Sequence, residues 1–111
     1  MAWVMSMDEA TFAQRLTALR QKKNVSAREM SLALGQNESY INRIENRLSF
    51  PSMQNFFYIC EYLNVSPAEF FDLKNNDPCA RREILDALHT LDARQLEIVL
   101  SVVRGLSNTG K

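Results

Sequence analysis

A twenty-residue stretch, residues 27–46, sets the strongest limit on the fold of this chain, because small, turn-forming and apolar residues occur in it at fixed distances. Ser31, its fifth residue, is small enough for two helices to cross closely. Gly35, its ninth, can adopt the positive φ that a tight turn between helices requires. Ile41 and Ile44 lie three residues apart, so both face the same side of a helix. The pattern predicts two short helices that cross at a tight turn.

Capping signals locate these two helices. Ser26 and Glu29 have the spacing of a capping box, in which each side chain bonds to the other residue's amide, so a helix is expected over residues 27–34. Asn37 is the next good N-cap, and it predicts a helix over residues 38–46. Two helices of this kind form a helix-turn-helix, whose second helix enters the major groove of DNA.

Apolar residues at helical spacing predict further helices on both sides of this motif. The first covers about residues 8–23, Ser52 begins a fourth after Pro51, and a second capping box from Ser66 to Glu69 begins a fifth. With only three glycines and three prolines, the chain is expected to be all-α. The residues expected in its core are Phe12, Leu16, Leu19, Met30, Leu34, Ile41, Ile44, Met53, Phe56, Ile59, Cys60, Leu63, Phe70 and Phe71.

The C-terminal third predicts a separate helical hairpin over residues 78–106, after a polar linker at residues 74–77. Its second helix begins at Thr90 or Asp92 and carries apolar residues that point in more than one direction. A surface helix needs only one apolar stripe, so we expect a second subunit to cover the excess. The residues predicted to form this homodimer interface are Leu96, Val99, Leu100 and Val103.

The charge of the chain is unevenly distributed, although its formal sum is zero. Residues 11–48 contain seven basic and three acidic side chains, a balance of +4. Residues 49–111 contain six basic and eight acidic ones, a balance of −2, and Asp8 and Glu9 supply the remaining −2. The basic part coincides with the helix-turn-helix, which favours double-stranded DNA as the partner.

The helix-turn-helix and its flanking helices resemble the Cro/C1-type (Xre family) domain over about residues 12–71. The residues that carry the resemblance are Ser26-Ala27-Arg28-Glu29-Met30, Leu34-Gly35, Ser39-Tyr40-Ile41-Asn42-Arg43-Ile44-Glu45-Asn46, Pro51-Ser52, Leu63-Asn64-Val65-Ser66 and Phe70-Phe71. The resemblance implies a five-helix, lambda-repressor-like DNA-binding domain, placed here at residues 8–73, with tails at residues 1–7 and 107–111. It also implies a two-fold dimer on operator half-sites about one helical turn apart.

The resemblance assigns two sets of contacts to DNA. The positions that meet base edges are Glu38, Ser39, Asn42 and Arg43. The positions that meet phosphates are Ser26, Ala27, Arg28, Asn37, Tyr40 and Arg47. Arg43 has the planar fork that pairs with guanine, although a solvated surface arginine is the alternative. Glu38 either accepts a hydrogen bond from cytosine or stabilises the start of its helix through the helix dipole.

Two of the residues predicted to bind phosphate depart from the family pattern. Ala27 stands where the family often has glutamine, so a side-chain phosphate clamp is missing. Arg47 stands where the family often has glycine, so Asn46 or Arg47 must accept a left-handed conformation, or the loop differs.

The resemblance also pairs Arg20 with Glu45. This contact would fix the second helix of the helix-turn-helix, which meets the DNA bases, against the first helix of the domain.

We expect a sequence-specific transcriptional regulator, either a repressor or an autoregulator. The alternative is an antitoxin-like or adaptor module that binds a protein partner and uses the helix-turn-helix as a scaffold. The zero net charge, Ala27 and Glu38 leave that alternative open.

Other classes of protein find no support in the sequence. His89 is the only histidine, so no Ser-His-Asp triad or metal cluster can be assembled around a second one, and we expect no enzyme, metal or cofactor. Cys60 and Cys79 lie 19 residues apart without a CxxC pair, which favours a reduced, cytoplasmic setting. The segment 1–7 lacks the basic flank of a signal peptide, and no apolar run reaches the ~20 residues of a membrane span.

Overall fold

The computed structural model describes residues 7–109, and all of their regular secondary structure is helical. The helices are α1 (Glu9–Lys23), α2 (Ala27–Ala33), α3 (Tyr40–Glu45), α4 (Met53–Leu63), α5 (Pro67–Phe71), α6 (Pro78–Leu88) and α7 (Ala93–Thr109). The all-α prediction is thus confirmed for the described residues. The tail predicted at residues 1–7 lies outside them except for Met7, and the tail predicted at residues 107–111 is helical as far as Thr109.

The helix boundaries follow from side-chain caps. Asp8 begins α1, because its carboxylate accepts a hydrogen bond of 2.8 Å from the amide of Thr11. Ser66 and Glu69 begin α5 with a complete capping box, in which both reciprocal bonds are present. Asn24 and Asn64 end α1 and α4 in the left-handed conformation, with φ of 64° and 58°. Asparagine tolerates this region better than most residues, so these two ends are cheap to form.

Helices α1 to α5 form a compact unit that ends at Pro78. Its core is a contiguous set of buried apolar side chains in which α1 packs against α3, α4 and α5, and α2 packs against α3. Three phenylalanine rings lie at its centre, with centroids of Phe12, Phe56 and Phe70 between 5.0 and 5.7 Å apart. The completely buried side chains include Leu16, Met30, Ile41, Ile59 and Phe70.

Two residues predicted in the core lie largely at the surface. Met53 is 66% exposed and Phe71 is 43% exposed. Met53 is the first residue of α4 and Phe71 the last residue of α5, so each has helix on one side only. Phe71 still borders the core through the ring of Phe56, with the two centroids 5.3 Å apart. Helical spacing alone does not distinguish such end positions from central ones.

The predicted linker at residues 74–77 belongs partly to the first unit. Asn75 is 4% exposed, and its carbonyl oxygen accepts a hydrogen bond of 3.1 Å from Arg15 Nη2. The first unit continues to Pro78, past the four polar residues. Sequence composition marked this segment as polar, but it could not reveal that a buried arginine holds its backbone.

A second unit begins at Cys79, the second residue of α6, and consists of the rest of α6, the connection at residues 89–92 and α7. Of the two predicted starts for its last helix, Asp92 is the one used, because Asp92 and Gln95 exchange reciprocal cap bonds of 2.8 and 3.0 Å. None of the described residues 79–108 is buried. Its exposed large apolar side chains are Ile84, Leu85, Leu96, Ile98, Leu100, Val102, Val103 and Leu106.

Candidate nucleic-acid interface

The junction of α2 and α3 is built around one serine. Ser31 is completely buried, and its Oγ donates a hydrogen bond of 2.7 Å to the carbonyl oxygen of Ala27. The same Oγ accepts a hydrogen bond of 2.9 Å from the backbone N–H of Ile41 in α3. Gly35 lies between the helices with a φ of 73°, in the region that favours glycine. Ser31 therefore joins the two helices as well as allowing them to cross closely.

Helix α3 begins at Tyr40, two residues later than predicted. The Asn37 side chain accepts hydrogen bonds from the amide and the hydroxyl of Ser39, at 2.9 and 2.7 Å. The amide of Tyr40 bonds to the carbonyl oxygen of Asn37, only three residues back. These contacts form a tight turn before the regular helix, because asparagine competes with the helix for nearby backbone groups. Glu38 consequently lies in this turn, outside the helix.

The exposed side of α3 carries two of the predicted base-reading residues, Asn42 and Arg43, and a third, Ser39, lies at the N-cap just before it. Ser39, Asn42 and Arg43 are exposed, while the opposite side of the helix is buried in the core. Asn42 is tied to Asn46, whose Nδ2 donates a hydrogen bond of 2.6 Å to Asn42 Oδ1. Sequence reasoning gave Asn46 no such role, although its spacing of four residues from Asn42 placed both on one face.

Glu38, which is predicted to read a base, and Arg28, which is predicted to bind a phosphate, form an ion pair with each other. Arg28 Nη1 donates to Glu38 Oε2, and the two side chains remain 66% and 56% exposed. Ser39 and Asn42 also hold side-chain bonds within the protein. Of the four predicted base-reading residues, Arg43 alone makes no side-chain hydrogen bond or ion pair with another described residue.

The other predicted phosphate contacts differ in what they can offer. Ser26 Oγ accepts the amide of Glu29 at 2.9 Å, as an N-cap does. Ala27 is half-buried and uses its carbonyl oxygen for Ser31. The hydroxyl of Tyr40 is buried without a hydrogen-bond partner among the described residues, and the Tyr40 ring packs on the core. The contact between Tyr40 and a phosphate stays a prediction.

The loop after α3 resolves one alternative that the sequence left open. Arg47 adopts the left-handed conformation, with a φ of 63°, while Asn46 keeps a φ of −91°. The Arg47 side chain is exposed and makes no side-chain bond within the described residues. A second unpaired cation therefore follows the exposed face of α3.

Arg20 and Glu45 are in direct contact and join α1 to α3. Arg20 Nε and Nη2 donate to the two carboxylate oxygens of Glu45, at 2.6 and 2.9 Å, and Arg20 Nη1 donates to the carbonyl oxygen of Val25 at 2.8 Å. The side chains are only 14% and 12% exposed. Hydrogen bonding to Glu45 raises the pKa of Arg20 above its ordinary value. This fork-to-fork contact fixes the direction of α3 relative to α1.

Sequence reasoning missed the role of Arg15, which it counted among the basic residues available to DNA. Arg15 is 6% exposed, and it donates to the carbonyl oxygens of Phe70 and Glu69, at 2.6 and 2.7 Å. Burial lowers its pKa from the ordinary arginine value. The spacing of three residues from Phe12 was the available signal, since it places Arg15 on the inner face of α1. The basic balance of the helix-turn-helix region therefore overstates the charge that DNA can meet.

Two further observations concern the classes of site that the described residues could form. Between residues 7 and 109, no three His, Cys, Asp or Glu side chains come together in a group that could hold a metal ion. No helix in this range is both long enough and apolar enough to cross a membrane.

Comparison with known proteins gives one match. The family model described as Helix-turn-helix matches residues 16–70, a range that includes all of α2, α3 and α4. Comparisons with curated proteins and with solved structures found no match. The matched range contains the Ser31 junction and the exposed face of α3. The chain belongs to the Cro/C1-type helix-turn-helix (Xre) family and is a DNA-binding helix-turn-helix regulator.

Proposed function

We propose that this protein is a sequence-specific transcriptional regulator, a repressor or an autoregulator, that acts in the cytoplasm and reads operator half-sites with α3 in the major groove. One observation carries the proposal: the exposed face of α3 is polar and ends in unpaired arginines, while its other face is fixed by the core. A major groove admits an α-helix, and a helix of fixed direction can repeat the same contacts at every half-site.

Arg43 is the principal base-reading residue in this proposal. Its guanidinium lies on the exposed side of α3 and makes no side-chain bond within the described residues, so no internal contact has to be broken before it binds DNA. A guanidinium pairs with guanine O6 and N7 through two parallel hydrogen bonds. Arg47 follows in the loop and is the proposed phosphate contact beside it.

The proposed regulator is a homodimer assembled through its second unit. Leu96, Leu100 and Val103 are 40–50% exposed, and Val99 is partly exposed. With 3.6 residues per turn, the apolar side chains from Leu96 to Leu106 spread over more than half the circumference of α7. A second copy of this chain that covers this face would also place two reading helices on two half-sites, which raises affinity through effective concentration.

A specific set of contacts favours the alternative, an antitoxin-like or adaptor module. Glu38, Ser39 and Asn42 are all bonded within the protein, and Arg15 and Arg20 turn inward. A surface whose polar groups are already paired is suited to a scaffold. This alternative requires a stable complex with another protein and no affinity for duplex DNA, even at low salt.

Selection of bound duplexes from a random DNA pool distinguishes the two functions. We expect the full-length protein to enrich a palindrome, and its affinity to fall with salt, with a log–log slope of about −0.9 per phosphate contact. Arg43→Ala should relax the preference at one position of each half-site and weaken binding by about 1–3 kcal/mol. Arg81→Ala removes an exposed arginine from α6 and serves as the matched control. Unchanged selectivity of Arg43→Ala would overturn the assignment of α3 as the reading helix.

A further inference from the structure

Glu38 is the one acidic residue among the four that are proposed to read bases, and a negative charge at this position requires a physical explanation. Glu38 is 56% exposed beside the start of α3, where a free carboxylate would be repelled by DNA phosphates. Its carboxylate is paired with Arg28, ten residues earlier in the chain. The pair therefore presents no net charge to DNA, and it leaves the hydrogen-bonding groups of both residues partly unused.

The ion pair between Arg28 and Glu38 leaves three polar side-chain atoms without a hydrogen bond to any residue that the structure describes. Glu38 Oε2 accepts from Arg28 Nη1, whereas Glu38 Oε1 has no partner within the described residues. The same holds for Nε and Nη2 of Arg28. A carboxylate oxygen oriented by an arginine is a single acceptor of defined position, which is the group that reads an exocyclic amine in the major groove.

Both side chains project from backbone that is held in place. Arg28 lies in the first turn of α2, next to the cap formed by Ser26. Glu38 lies between Asn37 and Ser39, in the turn that the Asn37 side chain closes. The buried Ser31 junction joins the two elements. The distance between the two residues is thus fixed by the fold and does not depend on their own weak, exposed ion pair.

We propose that Arg28 is a positioning residue that holds the Glu38 carboxylate so that Oε1 accepts a hydrogen bond from the N4 amino group of cytosine. This inference rests on the proposed function. Cytosine is favoured over adenine because the N6 amine of adenine lies beside N7, an acceptor that repels a carboxylate. The remaining N–H groups of Arg28 then face the phosphate backbone. Arg28 acts through Glu38 and therefore affects sequence preference as well as affinity.

The test is selection from a random duplex pool with the full-length protein, Arg28→Met, Glu38→Gln and the double variant. We expect the wild-type protein to select cytosine at one position of each half-site, and Glu38→Gln to select adenine there, since glutamine pairs with adenine N6 and N7. Arg28→Met should lose the cytosine preference at that position and keep the guanine preference of Arg43. The double variant should select the same base as Glu38→Gln, because a neutral amide needs no countercharge.

The outcomes separate this inference from the proposed function. If Arg28→Met keeps the cytosine preference and weakens all sequences equally, with a salt slope smaller by about one, Arg28 is only a phosphate contact and the inference is wrong. If the wild-type protein enriches no sequence, the proposed function itself fails. Glu29→Gln, a neighbouring exposed acid in α2, is the matched control and should leave the selected sequence unchanged. In urea unfolding, the stability of Arg28→Met should lie within about 1 kcal/mol of the wild-type value, since the pair is exposed.

Discussion

Ser31 and Ile41 are joined by a buried hydrogen bond of 2.9 Å, from the amide of Ile41 to the hydroxyl of Ser31, and this bond sets the position of α3 against α2. Both residues are completely buried. An alanine at position 31 would allow the same close crossing, but it would leave the Ile41 N–H without this acceptor. A buried donor that loses its partner costs free energy, because water cannot replace the bond. The hydroxyl is therefore required in addition to the small size.

Ser31→Ala should lower the free energy of unfolding by about 1–3 kcal/mol, the cost of leaving a buried N–H unpaired. Urea unfolding followed by circular dichroism measures this loss. Ser39→Ala is the matched control, because the Ser39 hydroxyl is exposed and water can replace its bond. Equal losses in the two variants would show that the Ser31 hydroxyl does not hold the junction.

Arg20→Met should destabilise the protein by about 3 kcal/mol, because it leaves the Glu45 carboxylate partly buried without its partner. The corresponding change in the exposed pair, Arg28→Met, should cost less than about 1 kcal/mol, since water screens that pair. The two ion pairs differ mainly in exposure, at 14% and 12% against 66% and 56% for their side chains. Thermal unfolding of both variants gives the comparison. A similar loss in both would contradict the idea that Arg20 and Glu45 hold α3 against α1.

The sequence predicted those parts of the fold that depend on neighbours within one helical turn. The spacing of Phe12, Leu16 and Leu19 predicted the inner face of α1, and the Ser66 capping box predicted the start of α5. The late start of α3 was missed, because the Asn37 side chain competes with the helix for backbone groups and the sequence does not show which contact is stronger.

Contacts between distant residues could not be predicted in the same way. Arg28 and Glu38 are ten residues apart, and Arg15 bonds to carbonyl groups 54 to 60 residues away. Spacing rules extend only three or four residues along a helix, so they identify faces but not partners across the fold. Arg20 and Glu45 were matched through the family resemblance, since nothing within one helical turn links them.

Arg47→Gly should change stability and DNA binding in opposite directions. Arg47 has a φ of 63°, and a residue with a side chain costs roughly 1–2 kcal/mol in the left-handed region, so glycine should raise the free energy of unfolding by about 1 kcal/mol. The same change removes the proposed phosphate contact and should weaken binding to all duplexes. Asn24→Gly is the control. Asn24 has a φ of 64°, but asparagine tolerates this conformation, so the change should have little effect on stability. Chemical unfolding and salt titrations of DNA binding measure the two effects.

Cys60 should make the free energy of unfolding fall at alkaline pH. Burial raises the pKa of its thiol from 9.0 to about 11. A thiol with a raised pKa in the folded state stabilises the protein fully below pH 9, and this contribution is lost as the pH rises towards 11. The free energy of unfolding of the wild-type protein should therefore fall more steeply over this range than that of Cys60→Ala. Equal dependence of the free energy of unfolding on pH in the two proteins would contradict a buried Cys60 thiol. Rapid reaction of Cys60 with a thiol reagent at pH 8, measured in a Cys79→Ser variant, would contradict it as well.

The last prediction concerns the proposed dimer and its interface on α7. Light scattering should give twice the mass of one chain for the wild-type protein, and Leu100→Glu should give a monomer, because a carboxylate on the apolar face of α7 would lose its water in the interface. Ser101→Glu adds the same charge one residue further along, on the polar side of the helix, and should remain dimeric. Leu100→Glu should also bind a palindromic duplex more weakly than Ser101→Glu, since its two reading helices are no longer linked. A wild-type monomer at micromolar concentration, or a dimer that Leu100→Glu leaves intact, would rule out α7 as the interface.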